Sequence, residues 1–104
     1  MSFAEYEMKV VQWAEARKII PNADVRTQML KGVSEMGELC DAIIKGDRLK
    51  IIDGVGDVTV VLLVVCTLLD LDFTSCLEAA YDEIKDRKGT LLPNGTFVKH
   101  VEAT

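Results

Sequence analysis

The chain has very few of the residues on which many enzyme motifs depend. It contains a single histidine, His100, so a Ser/His/Asp triad or a histidine-rich metal site lacks material. Its cysteines, Cys40, Cys66 and Cys76, are odd in number and widely spaced, which predicts buried thiols in a reducing compartment rather than disulfides or a zinc site. The sequence also lacks a phosphate-binding P-loop and a complete dinucleotide fingerprint. Any catalytic chemistry therefore has to come from other side chains.

Positive charge and long apolar runs are also scarce. Twelve Lys and Arg against 17 Asp and Glu give a net charge of -5, which does not favour nucleic-acid or anionic-membrane binding. The N-terminus lacks the apolar core of a signal peptide, and the apolar run at 58–69 is shorter than the ~20 residues that span a bilayer. We expect a cytoplasmic protein with no membrane or nucleic-acid partner, folded as a single domain over residues 1–104.

Helical periodicity and capping signals predict two helices in the first half of the chain. Ser2 and Glu5 form a capping box for a helix that runs to about residue 17. After a break at IIPNAD, Asp24 caps a second helix over residues 25–45. The predicted core faces are Phe3, Tyr6, Val10 and Trp13 on the first helix, and Val25, Met29, Val33, Met36, Cys40 and Ile43 on the second.

The second half predicts two more helices and a small C-terminal turn or hairpin. Asp47 caps a helix to about residue 71, whose segment VTVVLLVVCTLL is apolar on every side and has to be enclosed, most simply by a second subunit. Its β-branched residues leave a buried strand as the alternative. A fourth helix follows Asp72 and ends at Gly89, and a turn at PNG precedes a loose tail, VEAT. The predicted fold is an all-α, four-helix bundle-like protomer that forms oligomers.

Four acidic residues flank the junction between the second and third predicted helices. Glu35 and Glu38 lie three residues apart, and Asp53 and Asp57 lie four apart, so each pair can present its carboxylates in one direction. If the helices pack side by side, the four groups converge and repel each other unless a cation neutralises them. Mg²⁺ takes oxygen ligands of this kind and shares them with substrate phosphates. The pattern suggests a magnesium site that acts on a phosphoanhydride.

Simpler interpretations of the same acids remain open. On a helical wheel, Glu38 lies nearly opposite the apolar stripe of its helix and Glu35 about a third of a turn away, which is typical of solvated residues. An acid near a helix N-terminus is also stabilised by the helix dipole, which is the simpler explanation of Asp53 and Asp57, although it suits Asp47 better than Asp57. Lys50 shares a helix face with Asp57 and could form a salt bridge with it. Under this reading, the protein is a helical oligomerisation module.

Glycines accompany these acids, although glycine disfavours a helix interior by up to ~1 kcal/mol. Gly37 lies between the two glutamates, and Gly54 and Gly56 lie between the two aspartates. A missing side chain lets helix backbones approach closely, which would bring the flanking carboxylates within reach of one ion. Tight helix packing without a ligand would explain the glycines equally well.

Cationic and aromatic side chains could serve a phosphate-containing substrate. Lys85, Arg87 and Lys88 form a basic cluster that could bind terminal phosphates, although such a cluster also suits the C-terminal end of an ordinary helix. Trp13 could stack on a base, although a lone tryptophan on an apolar stripe is usually a core residue. Lys31, one turn before the first glutamate, is also predicted to bind substrate.

The motifs in this order resemble the MazG-like, all-α nucleoside triphosphate pyrophosphohydrolases, relatives of the dimeric dUTPases and of phosphoribosyl-ATP pyrophosphohydrolase. The resemblance covers roughly residues 27–99 and rests on EMGEL, GVGDV and AAYDEIKDRKG. It implies a protomer that dimerises, often further to a tetramer, and a Mg²⁺-dependent hydrolysis of a nucleoside triphosphate to monophosphate and pyrophosphate, with Mn²⁺ as a substitute. It implies catalytic and metal-binding roles for Glu35, Glu38 and Asp57, and phosphate contacts for Lys85 and Arg87. We expect Asp53, which the family pattern does not include, to be a further metal ligand.

The chain departs from the pattern of this family at two positions. Gly54 stands where the family usually has glutamate, and Asp53 beside it could reach the same ion with a shorter arm. Asp82 stands where the family tends to have asparagine. The first departure motivates an alternative in which the protein binds a nucleotide or metal with little turnover.

Overall fold

The computed structural model describes residues 1–101 and confirms a predominantly helical fold. The chain divides into two compact units, which we call the helical unit, Met1–Phe73, and the C-terminal unit, which starts at Thr74. Residues 102–104 lie outside the described residues, so most of the predicted loose tail stays a prediction, as does the single domain. The elements are α1 (Phe3–Ala16), α2 (Ile19–Asn22), α3 (Val25–Lys45), α4 (Arg48–Leu68), α5 (Phe73–Ile84), β1 (Gly89–Leu91) and β2 (Phe97–Lys99).

The predicted capping residues begin the first three long helices. The Ser2 hydroxyl accepts a hydrogen bond from the Glu5 backbone N–H at 3.2 Å, and Asp24 accepts from the first turn of α3. Asp47 accepts from the third residue of α4 at 3.3 Å. Gly46 ends α3 at φ 69°, in the left-handed region that glycine adopts readily, so the chain reverses tightly into α4. The break predicted at IIPNAD contains the short helix α2, which the sequence did not indicate.

Helix α4 is the centre of the helical unit, and α1, α2 and α3 all contact it. Its helical state excludes the alternative of a buried strand. Gly54 and four large aliphatic residues of α4 are buried, namely Val61, Leu63, Val64 and Val65. By length and composition alone, α4 could also cross a membrane, but core helices of soluble proteins pass the same test. Several of its apolar side chains, including Ile52 and Val55, are more than half exposed in the single chain.

Helix α3 packs on α4 through a different face from the predicted one. The predicted stripe is largely exposed, with Val33 at 65% and Ile43 at 58% relative accessibility. Val25 is the one residue of the predicted stripe that is half-buried, and the other buried or half-buried residues of α3 are Gln28, Gly32, Glu35, Leu39 and Ala42, which also follow the helical period. Small side chains on this second face let the two helices approach closely, because extra bulk there would meet α4. The packed face therefore includes a carboxylate, and the most apolar face remains open.

Helix α1 also differs from the predicted packing. Phe3, Tyr6 and Trp13 are 52%, 55% and 43% exposed, whereas Ala14 is completely buried. Ala14 lies on the buried face of α1, where its small side chain allows close contact. The aromatic residues lie on the neighbouring, more exposed face of the helix. The ring of Phe3 packs on that of Phe73, with centroids 5.9 Å apart. The prediction that the aromatic stripe forms the core face of this helix is therefore wrong.

The C-terminal unit contains most of α5 and the predicted hairpin. Strands β1 and β2 pair antiparallel, and the turn contains Gly95 at φ 88°. The helix ends at Ile84, so the prediction that it continues to a terminal glycine at Gly89 is wrong. Gly89 opens β1 opposite Lys99, where a Cβ atom would clash with the Val98 carbonyl oxygen and the Phe97 ring. The hairpin, rather than a helix end, therefore requires this glycine.

Candidate active site

An open pocket lies between α1, α3 and α4, beside two of the predicted acids. Its volume is about 360 Å³. Aromatic and aliphatic side chains form much of its wall, and Lys9, Lys31, Glu35 and Asp57 add charge. We call it the apolar pocket; its lining is Tyr6, Lys9, Val10, Trp13, Lys31, Glu35, Asp57, Val60 and Val61.

A second pocket lies at the end of α3 and the start of α4, and we call it the polar pocket. Its volume is about 320 Å³. It contains the other two predicted metal ligands, and Asp57 lines both pockets. The full lining is Glu38, Asp41, Ala42, Lys45, Asp47, Lys50, Asp53, Gly54 and Asp57. The four acids singled out in the sequence therefore lie where one cavity adjoins the other.

Two of the four carboxylates, Glu35 and Asp57, are influenced by the charges of neighbouring acids. Partial burial raises the pKa of Glu35, and the charges of Glu38 and Asp57 raise it further. Partial burial likewise raises the pKa of Asp57, followed by the charge of Asp53 and a hydrogen bond to it, and by the charge of Glu38. Nearby Lys31 lowers the pKa of both groups. This coupling across the interface of α3 and α4 does not fit four independently solvated acids.

The chemistry of this cluster fits a divalent cation, although its side chains are not arranged as a finished metal site. Within residues 1–101, no group of three or more Asp, Glu, His or Cys side chains is placed to hold an ion. The carboxylates instead form the pairs Glu35–Glu38 and Asp53–Asp57, each with a hydrogen bond that raises a pKa. The raised pKa values of Glu35 and Asp57 favour their neutral forms, and a divalent ion with oxygen ligands would replace those protons.

The glycines near the acids have different environments. A Cβ atom on Gly54 would lie 3.1 Å from Leu39 Cδ1 and 3.4 Å from Leu39 Cα, so this glycine does permit close helix packing. Gly37 and Gly56 have no heavy atom within 4 Å of the Cβ position among the described residues. The prediction that all three glycines bring the helices together therefore holds only for Gly54. Gly32, which was not singled out, makes the second close approach, because a Cβ atom there would lie 3.1 Å from Val61 Cγ1.

Trp13 lies at the wall of the apolar pocket, as a base-stacking residue would require. The guanidinium of Arg17 lies over its ring, 4.7 Å from the ring centroid, and donates a hydrogen bond to the Trp13 carbonyl oxygen at 3.3 Å. A cation stacked on an aromatic ring restrains its orientation. The structure thus places Trp13 at the pocket and not in the core.

The predicted phosphate-binding cations follow the end of α5 and belong to the C-terminal unit. Lys85 forms an ion pair with Asp82 at 3.3 Å, and Arg87 contacts Glu83 at 3.9 Å. Both pairs are partly solvent-exposed, and such pairs contribute only ~0–1 kcal/mol, so a substrate could displace them. Their role in binding phosphate stays a prediction.

The raised pKa values of the acids predict how the metal-free protein responds to pH. A carboxyl with a higher pKa in the folded state destabilises that state at neutral pH, and the destabilisation disappears as pH falls through the folded pKa. Below the unfolded values, near 4.5 for Glu35 and 3.8 for Asp57, these groups have no further effect. In the presence of a chelator, Asp57→Asn should therefore raise the melting temperature at neutral pH.

A pH series of melting temperatures for both proteins checks this prediction. The advantage of Asp57→Asn should shrink as the solution is acidified, because the wild-type carboxyl then becomes neutral as well. A variant that melts below the wild type at neutral pH in chelator would show that the cluster is not a site of charge repulsion.

Comparisons with known proteins agree with this geometry. The family model of the MazG nucleotide pyrophosphohydrolase domain matches residues 24–91. A solved structure, the cyanophage S-2L MazG-like pyrophosphohydrolase bound to dGDP and three catalytic Mn²⁺ ions per active site, has the same fold at a TM-score of 0.68 and 24% identity, over 97% of this chain and 99% of that one. The chain belongs to the MazG nucleotide pyrophosphohydrolase family, which confirms the resemblance of its motifs.

A relative with a similar sequence comes from Haemophilus phage HP1 (strain HP1c1). It is described as an uncharacterized 18.2 kDa protein in the rep-hol intergenic region, and it is 32% identical over 63 residues. The matched segment covers 61% of this chain and 39% of the phage protein, so the chain spans well under two thirds of that relative.

Proposed function

We propose that this protein hydrolyses a nucleoside triphosphate, or a related nucleotide, to the monophosphate and pyrophosphate, with Mg²⁺ as the cofactor and Mn²⁺ as a substitute. The observation that carries the proposal is the coupled cluster of four carboxylates where the apolar pocket adjoins the polar pocket. Family membership agrees with it, as do the dGDP and Mn²⁺ ions of the cyanophage protein. In the cell, such an activity would remove unwanted nucleotides from the cytoplasmic pool.

The two pockets suggest how this chain would orient its substrate. The apolar pocket can take the base and sugar, with Trp13 against the base. Lys31 lies on the same side and close enough to lower the pKa values of Glu35 and Asp57, so its ammonium can meet the first phosphate. The acids would then lie beside the phosphate chain rather than beside the nucleoside.

The carboxylates would hold the metal and position the attacking water. Glu35, Glu38, Asp53 and Asp57 are the proposed ligands, and a divalent cation held there would offset phosphate charge and acidify a bound water. Glu35 faces the apolar pocket and is half-buried, so it can orient that water and accept its proton. The water oxygen bonds to a phosphorus atom beside the α–β bridge, the bridging P–O bond breaks, and its electron pair stays on the departing oxygen.

The proposal includes a homodimer or homotetramer. The exposed apolar residues of α3 and α4, such as Met36, Val33 and Val55, form surfaces that monomeric soluble proteins rarely leave open. A second copy of the chain would cover them and would enclose α4, as its composition requires. Sedimentation that shows only a monomer at all concentrations would contradict this part of the proposal.

Pyrophosphate release from a panel of nucleoside and deoxynucleoside triphosphates, with Mg²⁺, Mn²⁺ or chelator, tests the function. We expect release from at least one nucleotide with either metal and none in chelator. A second candidate, nucleotide binding with little turnover, is favoured by Gly54, which removes one acid from the family pattern. Calorimetry that detects nucleotide binding without product would select it, and a protein that neither binds nor cleaves any nucleotide would contradict both candidates.

A further inference from the structure

The polar pocket contains two lysines that the proposed chemistry does not use. Lys45 is the last residue of α3, and Lys50 lies in the first turn of α4. The tight turn at Gly46 joins the two helices, and both lysines line the same cavity as Asp57. The helix junction holds both lysines near one another. The Asp47 side chain lines the same pocket and accepts a hydrogen bond from the Lys50 backbone N–H, which fixes the start of α4.

The ion pairing of these lysines differs from that of the other candidate phosphate-binding cations. Within residues 1–101, neither Lys45 nor Lys50 forms an ion pair, although five carboxylic acids line the same pocket. Lys85, by contrast, is paired with Asp82. Two ammonium groups without ion-pair partners in a concave site are available to an anionic ligand.

The position of Asp57 gives the direction in which a substrate would extend. It lines both pockets, so a nucleotide with its base at Trp13 has its phosphates at Asp57 and its far end in the polar pocket. The bond to be broken lies at the acids, which places the leaving group on the side of Lys45 and Lys50. The start of α4 adds its positive dipole to that side, which also favours a bound anion.

We propose that Lys45 and Lys50 form the subsite for the pyrophosphate end of the substrate. This inference rests on the proposed function, and it assigns to these two residues a task that the sequence motifs gave to Lys85 and Arg87. Each ammonium donates charge-assisted hydrogen bonds to terminal phosphate oxygens, and such bonds are among the stronger polar contacts in proteins. The two lysines thereby hold the β- and γ-phosphates while the α–β bridge is cleaved, and they release pyrophosphate as the product.

Calorimetric titration with inorganic pyrophosphate in Mg²⁺ tests this subsite without requiring turnover. Lys45→Gln and Lys50→Gln should each weaken pyrophosphate binding by about tenfold, and the double variant by more. Affinity for the nucleoside monophosphate should stay within about twofold of wild type, because that product occupies the other pocket. Lys50→Arg should restore much of the affinity, since it retains the charge.

Arg48→Gln is the matched control. Arg48 is the first residue of α4, is exposed, and lines neither pocket, so its removal changes the net charge equally without touching the subsite. Its pyrophosphate affinity should equal that of the wild type.

Three outcomes would overturn the inference. A double variant that keeps wild-type pyrophosphate affinity, in a protein that still cleaves nucleotides, overturns the subsite and leaves the proposed function intact. Equal weakening by Arg48→Gln shows a general charge effect and also overturns the subsite. A wild-type protein that releases no pyrophosphate from any nucleotide and binds none overturns both. Equal melting temperatures for wild type and variants ensure that a loss of affinity is not a loss of fold.

Discussion

Replacing Glu38 with glutamine is expected to lower pyrophosphate release by on the order of a hundredfold or more, with little loss of stability. The change preserves the size of the side chain but removes one of the charges that would hold the cation. Glu38 is exposed, so the helix can accept the amide without repacking. The measurement is kcat/KM for the best nucleotide of the panel, at saturating Mg²⁺.

Glu15→Gln provides the control for this variant. Glu15 is an exposed acid on α1 that lines neither pocket, so the same chemical change there should leave the rate unaltered. Full activity of Glu38→Gln would remove this residue from the site. A hundredfold loss in both variants would point to net charge rather than to a specific ligand.

Replacing Gly54 with glutamate, the residue usual in this family, is expected to destabilise the protein by about 1–3 kcal/mol. Gly54 is buried against α3, and a Cβ atom there would lie 3.1 Å from Leu39 Cδ1 and 3.2 Å from Leu39 Cβ. The helices would have to separate or Leu39 would have to shift. Urea unfolding in chelator measures the loss.

Gly56→Ala is the comparison for that result. No heavy atom lies within 4 Å of the Cβ position of Gly56, so alanine should stabilise α4 by about 0.5–1 kcal/mol through helix propensity. Combining Gly54→Glu with Leu39→Ala should recover part of the loss, because the alanine makes room. A Gly54→Glu variant as stable as the wild type would mean that α3 and α4 are not closely packed at this point.

The sequence predicted the helices well because their signals are local. Ser2, Asp24 and Asp47 accept hydrogen bonds from the helix starts that follow them, and each could be identified from the sequence alone. The positive φ of Gly46 and the hairpin turn at Gly95 follow from the same kind of signal. The predicted end of α5 was wrong because Gly89 is required by strand pairing, and this pairing joins it to residues about ten positions further along the chain.

The packing faces could not be predicted because hydrophobicity alone does not say what a face packs against. Val33 and Ile43 belong to the more apolar stripe of α3 but are exposed, whereas Gly32, Leu39 and Ala42 form its contact with α4. The small residues Gly32 and Ala42 on this face are the sequence signal for close packing against another helix. The same choice of face explains why Glu35 is half-buried at the helix interface although the wheel placed it toward solvent.

The acidic part of the candidate site was predictable from spacing, and the rest was not. Glu35 and Asp57 lie on different helices, and only the α3–α4 interface brings Asp57 close enough to raise the pKa of Glu35, and Glu38 close enough to raise the pKa of Asp57. The lysines of the polar pocket were missed as substrate-binding residues because Lys45 lies at a helix end and Lys50 was interpreted as a salt-bridge partner of Asp57. Tyr6 and Lys9 were missed as pocket residues because the aromatic stripe of α1 was assigned to the core.

The most direct test of the proposed metal site is an electron paramagnetic resonance titration of Mn²⁺ into metal-free protein, comparing the wild type with Glu38→Gln/Asp57→Asn. We expect bound Mn²⁺ in the wild type, release of that ion by excess Mg²⁺, and a much weaker or absent bound signal in the double variant. Equal Mn²⁺ binding by a folded double variant, or no binding by the wild type even with nucleotide present, would contradict it.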